Sequence, residues 1–122
     1  MKRRVAVTGG GVISSLGDDW ASTRARLLSK ENCIRYMHEW DQYTDLHTRI
    51  ASPADAFSLP DHYTIKKTRG MGRVAKLGVV ATEQALLQAG LLGDPILQSG
   101  DTGVAYGSSI GSIDAGREFL DL

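Results

Sequence analysis

The 122 residues contain a single cysteine, Cys33, so no disulfide can close within the chain and a reducing compartment fits it best. Nor does any stretch approach the roughly 18 apolar residues of a membrane span. Net charge is also missing: 14 Lys and Arg offset 14 Asp and Glu. No global field therefore favours nucleic acid or an anionic membrane, and an electrostatic partner must be read by a local patch. The opening "MKRRVAVTGGGVISSLG" sets basic residues before apolar ones, yet glycine and serine interrupt it and no A-x-A cleavage pattern follows. It reads as a first strand rather than a signal peptide. These absences point to a cytoplasmic protein. Hydrophobic content of 42% and charged content of 23% exclude disorder and collagen-like repeats. One domain is expected, long enough to bury its own core.

The β-branched run Arg4 to Thr8 predicts a buried strand. Asp18-Asp19 offers an N-cap for a helix over Trp20 to Ser29, with Trp20, Thr23, Leu27 and Leu28 near one face. Glu31 to Asp45 has no clear period and reads as loop, and Leu46 to Ser52 as a short strand. "SPADAFSLPDHY" reads as a connection, with a short helix after Pro60. From Arg69 to Ala89, apolar or small residues fall at Met71, Val74, Ala75, Gly78, Thr82, Ala85, Leu86 and Ala89, the spacing of one helical face. Gly90 stops that helix. So many small residues predict close packing against a neighbour, which would explain a costly Gly78 in mid-helix. A second strand at Thr102 to Tyr106, a Gly/Ser turn at Gly107 to Ser112 and a last helix from about Ser112 complete the chain. That helix reaches Leu122 with no stop signal, which predicts a truncation inside an element.

Three glycines after a strand raise the possibility of a dinucleotide site. Gly9 and Gly11 fit the first two positions of G-x-G-x-x-G, but Ser14 stands at the third. The short-chain variant fails at Ile13 and Ser15, and no second strand precedes Glu31, where the acidic residue would fall. Glycines that let the backbone approach another element closely are the better reading. His38, His47 and His62 lack ligand spacing, so neither a metal nor a cofactor is expected. Cys33 reads as a buried, inert thiol. "GSSIG" (Gly107 to Gly111) satisfies G-x-S-x-G literally, which keeps a serine hydrolase as an alternative. Lys66, Lys67, Arg69, Arg73 and Lys76 form a basic cluster at the start of the long helix: a solvated face, or a docking patch for an acidic partner.

Four ordered stretches give the chain a resemblance. "RRVAVTGGGVISSLG", the helix from Trp20 to Lys30, "RGMGRVAKLGVVATEQALLQAGL" and "TGVAYGSSIGS" are similar to the N-terminal part of β-ketoacyl-acyl carrier protein synthases, condensing enzymes of the thiolase superfamily. The last stretch departs from the family's G-x-x-x-G-S-x-I-G-G at Ser112. The loop "HEWDQYTDLHT" with "LPDHYT" further resembles the branch associated with aryl-polyene-type pathways.

The resemblance implies an α/β fold, the first half of a thiolase-like α-β-α-β-α layered architecture, acting as a homodimer or with a second ketosynthase-like subunit. It implies decarboxylative condensation of an acyl-enzyme thioester with malonyl-acyl carrier protein, in fatty acid or polyene/polyketide-type biosynthesis. The family's nucleophilic cysteine and two histidines have no counterpart in this chain, and neither Cys33 nor His38, His47 or His62 takes their role. What carries over is Ile110, at a position that gates the acyl-chain pocket, and Lys66 and Arg69, at positions that dock acyl carrier protein. Gly70 departs from a further basic position. The alternatives are a non-catalytic, chain-length-factor-like partner subunit, and an NAD(P)-binding or serine-dependent enzyme.

Overall fold

The computed structural model describes residues 3–120. They fall into two compact units, one of residues 3–11 with 58–120 and the other Val12–Phe57.

In Val12–Phe57, helix α1 (Trp20–Leu28) starts where the Asp19 carboxylate accepts the Ser22 N–H at 2.8 Å. That backbone hydrogen bond holds the Asp19 carboxyl below the usual carboxylate range. Thr23 is the buried residue of α1, whereas Trp20, Leu27 and Leu28, expected beside it on one face, stay exposed. The stretch expected as loop forms strand β1 (Arg35–Tyr36) and a 3₁₀ turn at His38–Trp40. β1 pairs antiparallel with β2 (Ile50–Ala51), Arg35 opposite Ala51 and Tyr36 opposite Ile50. Asp41 secures this pair by accepting the Tyr36 hydroxyl and lying 3.3 Å from Arg49 Nε. Met37 is buried beside it and donates its N–H to the Arg49 carbonyl at 2.7 Å.

The other unit is organised on a long helix. A four-residue helix, α2 (Ile65–Thr68), follows Pro60, and α3 (Arg73–Gln88) follows α2. The expected single helix from Arg69 therefore starts later. Arg69 is the C-cap of α2 and Gly72 the N-cap of α3, with glycine on both sides of Met71 weakening helix between them. Gly72 has no side chain to cap α3; instead the Ser112 hydroxyl accepts the Val74 N–H at 2.9 Å. At the other end Gly90, at φ +70°, gives the left-handed stop that the sequence predicts. A 3₁₀ turn at Pro95–Gln98 and helix α4 (Ile113–Leu120) follow.

The N-terminal glycines lie against α3. A Cβ on Gly9 would overlap the Ala85 carbonyl, and one on Gly11 the Ala81 carbonyl. Between them the Gly10 N–H donates to Gln88 Oε1 at 2.7 Å. On the same helix Gly78 receives Tyr106, whose ring atoms occupy the space of the missing side chain. The Tyr106 hydroxyl donates to the Val74 carbonyl at 3.0 Å. The glycines thus serve close packing, and no helix N-terminus follows them until Trp20. A phosphate cradle needs that N-terminus at the turn.

Two expectations are corrected. Residues 4–8 and 102–106, expected as strands, join no sheet among the described residues, and Val5, Val7 and Val104 are about nine-tenths exposed. β-branched composition makes a strand only where a neighbouring strand completes the hydrogen-bond ladder, and neither run has one. The core is also thinner than expected. Met37 and Val80 are the buried apolar side chains among the described residues. Val5, Val7 and Val104 are apolar surface that the described residues do not cover.

Replacing Gly78 with Ala should push Tyr106 off α3 and, despite alanine's better helix propensity, destabilise the protein by about 1–3 kcal/mol, the usual cost of overpacking. Thermal melting of Gly78→Ala beside Gly78→Ala with Tyr106→Leu checks the cause: the second change should recover much of the loss.

Candidate functional site

Lys66 and Arg69 are brought together by α2. Thr68 turns inward, 6% exposed, with its hydroxyl donating to the Thr64 carbonyl at 3.2 Å. At about 100° per residue, an inward Thr68 sets Lys66 nearly opposite it, facing out, with Ile65 and Arg69 one turn apart at its flank. Ile65, Lys66, Lys67 and Arg69 are all exposed. Glu31, Asp55, Asp41 and Glu83 each meet a cationic side chain or a histidine, but none meets Lys66, Lys67 or Arg69 among the described residues. The patch differs from the sequence reading in one respect: Lys66 and Lys67 lie on the separate four-residue helix α2, and only Arg73 and Lys76 stand on α3.

Ile110 belongs to a different element, the bend at 109–110 ahead of α4, and is 74% exposed. The turn around it is closed by the Gly111 N–H donating to Ser108 Oγ at 3.0 Å, with Gly111 at φ +74°. Among the described residues no strand leads into "GSSIG".

One cluster at the candidate site had no signature in the sequence. Glu83 on α3 accepts the Tyr63 hydroxyl at 2.7 Å and sits 2.9 Å from His62 Nε2. These groups rim an apolar groove of about 470 Å³ lined by Ala75, Val79, Leu86, Leu92, Val104 and Tyr106. The residues are twenty and more positions apart, on a turn and a helix, so no spacing rule links them. Burial, then the hydrogen bond and charge of Glu83, push the Tyr63 phenol up to about 12. The cluster ties the turn before α2 to α3 and so fixes where the basic patch sits.

Cys33 is half-buried rather than buried, in the wall of a separate open hollow of about 560 Å³ within Val12–Phe57, close to the Arg35–Asp55 ion pair. His38 is exposed beside Asp41, and His47 is exposed. Among the described residues no group of three His, Cys, Asp or Glu could hold a metal ion. No helix there is long and apolar enough to cross a membrane.

The raised Tyr63 value carries a sign. A neutral phenol favoured by the fold contributes stability that is fully present below the unfolded pKa, about 10, and is lost as pH rises toward 12. Replacing Glu83 with Gln removes the negative charge and should lower the Tyr63 titration, leaving the part due to burial. Ultraviolet difference titration of the phenol measures it; an unchanged midpoint would contradict the assignment to Glu83.

Residues 2–121 match the family described as "Beta-ketoacyl synthase, N-terminal domain". A β-ketoacyl synthase from Burkholderia phymatum STM815 superposes with a TM-score of 0.84 at 43% identity, over 98% of this chain and 30% of that one. The 3-oxoacyl-[acyl-carrier-protein] synthase 2 of Vibrio harveyi is 34% identical over 115 residues, 93% of this chain and 27% of that protein. The chloroplastic 3-oxoacyl-[acyl-carrier-protein] synthase I of Arabidopsis thaliana is 30% identical over 92% of this chain and 24% of its own length. The chain therefore spans about a quarter to a third of the relatives it matches. Both the folded backbone and the sequence, from the glycine segment to the turn at Ser112, lead to one conclusion: this chain belongs to the β-ketoacyl synthase family, as its N-terminal domain.

Proposed function

We propose that the protein containing this chain is a 3-oxoacyl-acyl carrier protein synthase. The observation that carries the reading is the match over almost the whole chain, in sequence and in backbone, to proteins of that name and family. In the reaction, a cysteine thiolate takes an acyl group from a carrier-protein thioester and releases the carrier thiol. Malonyl-carrier protein then loses carbon dioxide, and the resulting enolate carbon attacks the acyl-enzyme thioester. The products are 3-oxoacyl-carrier protein and the free cysteine. A thiolate at a helix N-terminus and fixed donors toward the enolate oxygen are what such chemistry requires.

The residues of this chain contribute recognition. Lys66 and Arg69, exposed and unpaired with acidic groups among the described residues, suit docking of an acidic carrier protein. Ile110, on its glycine-bordered bend, would gate the acyl-chain pocket. We further read residues 4–8 and 102–106 as strands of a layered α-β-α-β-α fold that pair with the rest of the protein. The uncovered apolar surface supports this, since extended β-branched segments left in water gain nothing from their composition. A homodimer, or a pair with a second ketosynthase-like subunit, in the cytoplasm fits the same reading.

The full-length protein, supplied with an acyl-carrier protein thioester and malonyl-carrier protein, should release carbon dioxide and form the 3-oxoacyl product, as read by mass spectrometry. Carrier binding without product would point instead to a non-catalytic, chain-length-factor-like subunit. Lys66→Glu combined with Arg69→Glu should weaken carrier-protein binding tenfold or more and flatten its dependence on salt, because two attractive charges become repulsive. Binding that survives both changes would remove the docking assignment.

A further inference from the structure

We propose that Ile65 is the apolar anchor of the docking surface, a contact at the edge of the basic residues that steer a partner toward it. The inference rests on the docking role proposed above for Lys66 and Arg69 and adds to it a residue whose contribution is not electrostatic. At 84%, Ile65 is the most exposed large apolar side chain on any helix among the described residues. It opens α2, one turn from Arg69 and next to Lys66, so an apolar side chain stands at the edge of three exposed positive charges. An inward-facing apolar residue would need no such rim. An outward one bordered by charge lets a desolvated side chain supply affinity while the neighbouring charges supply rate and orientation.

The neighbouring backbone leaves room for a partner to reach it. A Cβ built on Gly70 meets nothing within 4 Å, and Gly70 has no positive φ. A partner can therefore come close to the chain between α2 and α3. The occupant is fixed by complementarity: it carries carboxylates spaced to meet Lys66, Lys67 and Arg69, and among them an exposed apolar side chain that covers Ile65. The acyl carrier protein named for the relatives is the partner to which the proposal commits.

The test uses the full-length protein and purified acyl carrier protein, with dissociation constants measured by calorimetry at low and high salt and melting curves for each variant. Ile65→Ala should weaken binding about tenfold, leave the slope with salt unchanged and leave the melting temperature unchanged. Lys66→Glu with Arg69→Glu should weaken binding and flatten that slope. Gly70→Lys, which adds charge where there is space for it, should tighten binding at low salt only. An unchanged constant for Ile65→Ala, with the charge reversal still effective, would overturn the anchor and leave the docking surface standing. No effect from either would remove the docking surface itself. A large fall in melting temperature for Ile65→Asp would also overturn the anchor, because it would mean that Ile65 is covered within the full-length protein.

Discussion

Close approach of backbone to backbone along α3 is the constraint on which the larger unit depends. Its face of small residues leaves the helix carbonyls within reach, and Gly9 and Gly11 bring a second chain segment onto the carbonyls of Ala85 and Ala81. Any side chain at either glycine would hold that segment away. Once seated, the segment is fixed by Gly10 and Gln88, and the other elements attach to the same helix through Tyr106 at Val74, Ser112 at the helix start, and His62 and Tyr63 at Glu83. The unit has little buried side-chain volume, so these polar and backbone contacts carry an unusual share of its order.

That economy has a consequence for function. Val5, Val7 and Val104 are exposed, and the groove beside Glu83 is lined largely by aliphatic groups. A surface of this kind gains free energy when covered. The basic patch is different. Lys66, Lys67 and Arg69 meet no acidic side chain in an ion pair among the described residues, and the two lysines are set on a short helix held by Thr68. On the function proposed above, one surface is buried within a larger fold and the other meets a separate, acidic molecule.

Much of the local structure was legible beforehand. α1 with its Asp19 cap, α3 with its small-residue face and the Gly90 stop all follow from short-range rules, because capping and helical periodicity act within one or two turns. The break at Gly70 to Gly72 was misread: small residues extend an apolar period on paper while weakening the helix itself. β1 was missed because two residues are too few for a pattern. The runs at 4–8 and 102–106 were read as strands, yet a ladder needs a partner that no local pattern supplies.

Of the candidate site, Lys66, Arg69 and Ile110 rest on a family resemblance, and the short helix that carries Lys66 and is capped by Arg69 shows only in three dimensions. Glu83, Tyr63 and His62 could not, since hydrogen bonding across twenty residues leaves no periodic trace. By itself the sequence determined the family, the main helices and the failure of the dinucleotide motif, because each rests on residue identity at short separations. Only the tertiary structure decided what the glycines touch, which cations stay unpaired and which apolar side chains face out. Those depend on where distant segments meet, and short-range chemistry does not specify that.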